Sequence, residues 1–127
     1  MVSVNVREKT MPRKADAQVM TFAGQEFSPR FAYGEMAQVT EVTGTGMGTR
    51  LGTGFGRFTD AEIPWTVQYD EVLLVLEGQL TVRTGNGEHT AGPRDCIWLP
   101  AGTELTYIAE SALVFYAIEP ANWAEKG

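Results

Sequence analysis

Glu71 is a carboxylate set in an otherwise mostly apolar stretch, Tyr69-Asp70-Glu71-Val72-Leu73-Leu74-Val75. A carboxylate aimed into an apolar interior is desolvated, which raises its pKa and suits it to general acid–base work near neutrality. The competing reading is architectural: a buried carboxylate held by hydrogen bonds from Tyr, Trp or Arg. Tyr69 lies two residues away and in a strand shares the face of Glu71. Its hydroxyl, and that of Tyr107, would orient a ligand or satisfy the carboxylate; each is otherwise a core residue. Trp65 offers an aromatic wall whose π face suits an organic cation, or it simply fills the core. Arg57 would pair with Glu71 or hold a carboxylate or phosphate if it faces inward; facing outward, it would do neither.

The chain has one histidine and one cysteine. His89 follows Asn86-Gly87, a type I′ hairpin signal, and is expected at an exposed hairpin tip. Cys96 opens the apolar run Cys96-Ile97-Trp98-Leu99 and reads as a buried thiol, with no partner for an internal disulfide. Zinc, iron and copper sites draw on His and Cys, so no transition metal is expected, a hard metal held by carboxylates and tyrosine being the weaker alternative; no other cofactor is expected. The glycines at 44, 46, 48, 52, 54 and 56 all fall on even positions. Such a face admits a close backbone or a ligand; bending and bulging of the strand is the slightly favoured alternative. They form no phosphate loop, since neither G-x-G-x-x-G nor a G-K-[ST] ending is present.

At 127 residues with 43% hydrophobic content, the chain is long enough for one modest core. A net charge of −6 with scattered charges argues against a nucleic-acid surface. No apolar run has membrane-span length and the first residues lack a signal-type apolar stretch, so no membrane partner and a cytoplasmic location are expected. Residues 1–16 are polar, charged and interrupted by Pro12, and read as an N-terminal arm; residues 17–127 read as a single domain.

Short strand-like runs recur with turns between them: Gln18–Phe22, Glu35–Val42, Gly48–Phe58, Glu71–Glu77, Gln79–Thr84, Glu88–Ala91, Cys96–Leu99, Leu105–Ala109 and Leu113–Ile118. This spacing predicts an all-β sandwich or barrel, with at most a last helical turn near Asn122–Lys126. If Glu71 points inward, so do Tyr69, Leu73 and Val75, and the equally apolar Val72, Leu74 and Leu76 point out. A strand apolar on both faces must be covered on both, by the N-terminal segment or by another subunit. Glu104, out of phase with Leu105, is expected on the surface.

Two stretches, Pro64–Gly78 (PWTVQYDEVLLVLEG) and Gly92–Tyr107 (GPRDCIWLPAGTELTY), resemble the two cupin motifs, H-x-H-x3-E-x6-G and G-D-x4-P-x-G-x-x-H. Anchoring on Glu71 and Gly78 puts Trp65 and Val67 at the two histidine positions. Anchoring on Pro100 and Gly102 puts Leu105 at the third; Asp95 is kept and Arg94 replaces its glycine. Only Glu71 retains a ligand identity. Ile63–Leu80, together with Pro120-Ala121-Asn122-Trp123, is similar to the cupin domain of EutQ-like ethanolamine-utilisation proteins, in which these histidines are also absent. The similarity runs from about Gly44 to Trp123.

The resemblance implies a cupin jelly-roll barrel, with Glu71 directed inward and Tyr107 two residues beyond the lost third histidine, in phase with it. It also implies a homodimer, because cupin sheets commonly pair through such outer faces and their arms commonly cross to a partner. By resemblance alone, the activity is ethanolamine or amine catabolism, with acetate-kinase-type phosphotransfer. The residues leave three classes open: a metal-independent enzyme on a small polar metabolite with Glu71 as acid or base, a small-molecule binding module, and an assembly subunit.

Overall fold

Residues 16–126 are described by the structure, a computed structural model. Eight strands account for most of them: β1 (Ser28–Pro29), β2 (Ala37–Val39), β3 (Gly52–Thr66), β4 (Asp70–Gly78), β5 (Leu80–Thr84), β6 (Gly87–Ala91), β7 (Cys96–Leu99) and β8 (Glu104–Glu119). Three short 3₁₀ turns, Phe31–Tyr33, Thr45–Met47 and Trp123–Lys126, are the helical elements among these residues. Among the described residues no helix is long and apolar enough to cross a membrane.

The organising pair is β3 with β8, antiparallel from Gly52↔Ile118 to Thr66↔Glu104. One half of β8 pairs with β5 (Thr81↔Ile108 to Arg83↔Thr106), the other with β4 (Asp70↔Glu119 to Gly78↔Ala112). The edges are completed by β6 on β5 and by β7 on β4. Because β8 changes partner midway, it belongs to both layers of a two-layered antiparallel barrel, the jelly-roll arrangement. Leu105–Ala109 and Leu113–Ile118, expected as two strands, are thus one strand. Their polar divider Glu110-Ser111 lies where the strand turns between layers.

Pairing in β3 lapses at the same level, at Asp60, whose φ is 45°. This residue inverts the alternation. Before it, Gly52, Gly56 and Phe58 point inward; after it, Ala61 and Ile63 do. Of the six even-numbered glycines only Gly52, Gly54 and Gly56 lie in β3, on its interior face; Gly44, Gly46 and Gly48 belong to the segment around the second 3₁₀ turn, where Gly46 and Gly48 are exposed. A Cβ at Gly54 would strike the Thr40 carbonyl and the Tyr116 ring, so close approach of other groups is the reason for glycine there.

Both motif glycines have backbone reasons. Gly78 (φ 79°) lies against the Ser111 carbonyl, which leaves no room for a Cβ, and Gly102 (φ 93°) turns the chain before β8. The most fully buried side chains of the core include Val75, Leu80, Val82 and Val114, all essentially without solvent exposure.

Several expectations need correction. Gln18–Phe22 is not a strand; Phe22 instead packs edge-on against Phe55 on the outer face of β3. The β5–β6 hairpin turns on Gly85-Asn86, with positive φ at Gly87 (126°), whereas a type I′ turn needs it at both central residues. Cys96 is exposed, because β7 sends Ile97 and Leu99 inward and Cys96 and Trp98 out. His89 and Glu104 are exposed, as their positions suggested. The arm expected over 1–16 lies, apart from Asp16, outside the described residues.

Candidate functional site

Glu71 is the second residue of β4, paired with Leu99 on one side and Ile118 on the other, and is only 6% exposed. Alternation along β4 turns it inward together with Leu73 and Val75. From the facing layer Tyr107 of β8 donates its hydroxyl hydrogen to Glu71 Oε1 at 3.1 Å. Tyr69, just before β4, shares the inner face and is buried. Its oxygen accepts from the Arg30 guanidinium (Nη2, 3.2 Å) and from the Trp65 indole Nε1–H (3.2 Å).

These two donors fill the acceptor capacity of the Tyr69 oxygen, leaving its own O–H to be given to something else. Arg30 also stacks over Trp65, with Cζ 5.0 Å from the ring centroid. Trp123 closes this end, its ring 5.0 Å from that of Tyr69 and 5.8 Å from that of Trp65.

Together these groups enclose a cavity of about 140 Å³, lined by Arg30, Tyr69, Glu71, Tyr107, Tyr116 and Trp123, with Gly52, Gly56 and Phe58 also in the wall. Burial pushes the Glu71 carboxyl up to about 7; the Tyr107 hydrogen bond and the Arg30 charge act in the opposite direction and are outweighed. Burial also raises Tyr69 and takes Tyr107 well above the ordinary phenol value, with the Glu71 charge adding to both. Tyr116 is pushed up to about 12, chiefly by burial, and its hydroxyl donates to the Thr40 carbonyl at 2.7 Å. Near neutrality Glu71 therefore exchanges a proton while these tyrosines keep theirs.

The structure brings four of the five residues singled out in the sequence to one place: Glu71, Tyr69 and Tyr107 line the cavity, and Trp65 stands behind Tyr69. Arg57 is not there. It lies on the outer face with its guanidinium 4.9 Å from the Phe27 ring centroid, because the inversion at Asp60 turns odd positions of the first half of β3 outward. The cation of the site is Arg30, which sits in the link between β1 and the first 3₁₀ turn and carries no periodic or motif signal. Trp123 could have been found from its place in the Pro-Ala-Asn-Trp segment.

At the three positions where a cupin carries histidines stand Trp65, whose indole N–H is committed to Tyr69, and the buried aliphatic Val67 and Leu105. None offers a lone pair, so these residues do not fit the metal of the histidine-bearing cupins. Among the described residues no group of three or more His, Cys, Asp or Glu side chains could hold one.

Barrel topology, motif glycines and the inward Glu71 together define a cupin without the metal-binding histidines. A family profile described as "Ethanolamine utilisation protein EutQ" matches residues 25–125, and the chain belongs to that family. The chain is 37% identical over 77 residues to "Acetate kinase EutQ" of Escherichia coli K12, a match covering 60% of this chain and 33% of the relative. It thus spans about a third of that relative's length.

Among solved structures, a candidate ethanolamine utilization protein Q from Salmonella typhimurium LT2 superposes with a TM-score of 0.77 at 27% identity, covering 82% of this chain and 86% of that one. A sugar phosphate isomerase of the cupin superfamily from Silicibacter pomeroyi shares the fold, with a TM-score of 0.64 at 18% identity, covering 80% and 75% of the two chains.

Proposed function

We propose that the barrel binds a small polar metabolite bearing a carboxylate or similar acceptor group, and that Glu71 exchanges a proton with the bound molecule. The observation that carries this reading is the set of donors facing one cavity: the uncommitted Tyr69 O–H, the Arg30 charge and a Glu71 carboxyl able to hold a proton near neutrality. The Trp65 face that would suit an amine is covered by Arg30, which favours an acceptor-bearing ligand over a cation. About 140 Å³ suits a ligand of a few heavy atoms and falls below the ~300–1,000 Å³ of drug-sized sites. An acetate-sized molecule fits and a nucleotide does not. Acetate-kinase-type phosphotransfer rests on the names of relatives much longer than this chain.

Acetate and ethanolamine are the contrasting probes, titrated calorimetrically at pH 6 and pH 8. If anion binding needs a protonated Glu71, acetate binds about tenfold more tightly at pH 6 than at pH 8. Glu71→Gln, with a permanent amide donor, binds acetate equally at both and loses any proton-transfer turnover. Tighter binding of ethanolamine, or a flat pH profile in the unaltered protein, would refute the reading.

A second, non-catalytic reading is favoured by the outer face, where Val72 (42%), Leu76 (36%) and Trp98 (60%) are exposed. An assembly subunit or homodimer would bury them. Sedimentation at micromolar concentration, showing a dimer or only a 13.9 kDa monomer, decides it.

A further inference from the structure

Gly52, Gly54 and Gly56 alternate along the interior face of β3, and glycine inside a strand costs backbone entropy and side-chain packing. Two of the three have a packing reason. A Cβ at Gly52 would come within 2.8 Å of Ile118 Cγ1 and 3.3 Å of Ala121 Cβ, and one at Gly54 would strike the Thr40 carbonyl. Gly56 has no such reason. It is not among the residues with positive φ. A Cβ there would meet Val114 Cγ2 at 3.3 Å, and Val39 Cγ1 and Phe58 Cε2 at 4.0 Å, so a shift of a few tenths of an ångström makes room for it.

The strand neighbours would also welcome a side chain, since Gly56 pairs with Val39 of β2 on one side and Val114 of β8 on the other. What Gly56 borders instead is the cavity. It is buried, and with Val39 and Phe58 it lines the same space as Arg30, Tyr69 and Glu71. The missing side chain leaves a notch edged by hydrocarbon in a cavity that elsewhere carries polar groups. An acid held by those polar groups still has an alkyl end to remove from water, and the notch is apolar surface suited to it. In a space of about 140 Å³ a single added methyl group is felt.

We propose that Gly56 is a specificity-determining residue, which keeps an apolar notch open for the hydrocarbon end of a bound acid and so sets the length of acid the barrel accepts. This rests on the ligand reading of the Glu71 cavity and adds to it where the non-polar end of the ligand lies.

The test is a calorimetric titration at pH 6 with formate, acetate, propionate, butyrate and pentanoate. Formate has no alkyl end and serves as the control. In Gly56→Ala the added methyl group fills the notch. Formate affinity should stay within twofold, and the longest acid bound by the unaltered protein should lose at least tenfold. The urea midpoint of this variant should be unchanged or raised, as for glycine replaced where its freedom is not needed. Phe58→Leu removes bulk from the same wall and should strengthen the next longer acid at least threefold relative to formate. Equal weakening of every acid in Gly56→Ala, no change in any, or an unaltered length preference in Phe58→Leu would overturn the proposal and leave acid binding in place. Failure of Gly56→Ala to fold would also overturn it, because the glycine would then serve the barrel itself. Absence of binding by every acid in the unaltered protein would refute the underlying ligand reading, and this proposal with it.

Discussion

Glu71 and Val75 project from the same face of β4, four residues apart, into two differently built ends of the barrel. Around Val75, the side chains of Leu80, Val82 and Val114 belong to the same core and are essentially without solvent exposure. Around Glu71, the facing segment of β3 contributes Gly52 and Gly56, and tyrosines replace aliphatic residues. Glycine leaves the space, and phenol hydroxyls with Arg30 make it habitable for a carboxyl group. The contrast shows how one alternating strand serves both a dry core and a polar cavity. The first end is dry core, and the second carries the cavity to which we assign the proposed ligand and proton exchange.

Emptying the dry end should have the largest effect. Leu80→Ala removes a fully buried side chain, and should cost about 2–5 kcal/mol in urea unfolding. A loss under 1 kcal/mol would mean that this end is not close-packed.

At the polar end the leading effect is a pH slope. The folded-state pKa of Glu71, about 7, lies above the ordinary value of 4.5, so the folded chain holds this proton more tightly than the unfolded one. The resulting stability is present in full below about pH 4.5 and is lost as pH rises through 7. The difference is on the order of 3 kcal/mol for a shift of this size. Unfolding followed from pH 4.5 to 8 should show that slope, and Glu71→Gln should remove it while remaining folded.

A smaller effect is expected from Tyr69→Phe. It deletes the O–H offered to the cavity and the oxygen that accepts from Trp65 and Arg30. Acetate affinity should fall about tenfold, the scale of one hydrogen bond lost near a charge, with the pH slope of unfolding retained. Loss of the slope with unchanged affinity would reverse the roles assigned to Tyr69 and Glu71.

Much of this was legible in the sequence, for local reasons. Alternation within β4 aligns Tyr69, Glu71, Leu73 and Val75, and the spacing to Gly78 and Gly102 marks turns that only glycine accommodates well. Arg57 was misleading because a single residue, Asp60, inverts the phase of β3, and a backbone angle of that kind has no periodic signature. Arg30 was invisible because it comes from an irregular segment placed by tertiary packing. Cys96 illustrates the same limit at an edge: its neighbours are apolar, but which face of β7 is covered depends on strands elsewhere in the chain.

The central claim is that the barrel keeps a carboxyl group whose proton exchanges near neutral pH inside a ligand-sized cavity. The direct measurement is the ¹³C chemical shift of the Glu71 carboxyl carbon followed from pH 4 to 9 in the ligand-free protein. The structure predicts a midpoint of about 7. A midpoint near 4.5, the ordinary glutamate value, would show that Glu71 is solvated and would contradict the account.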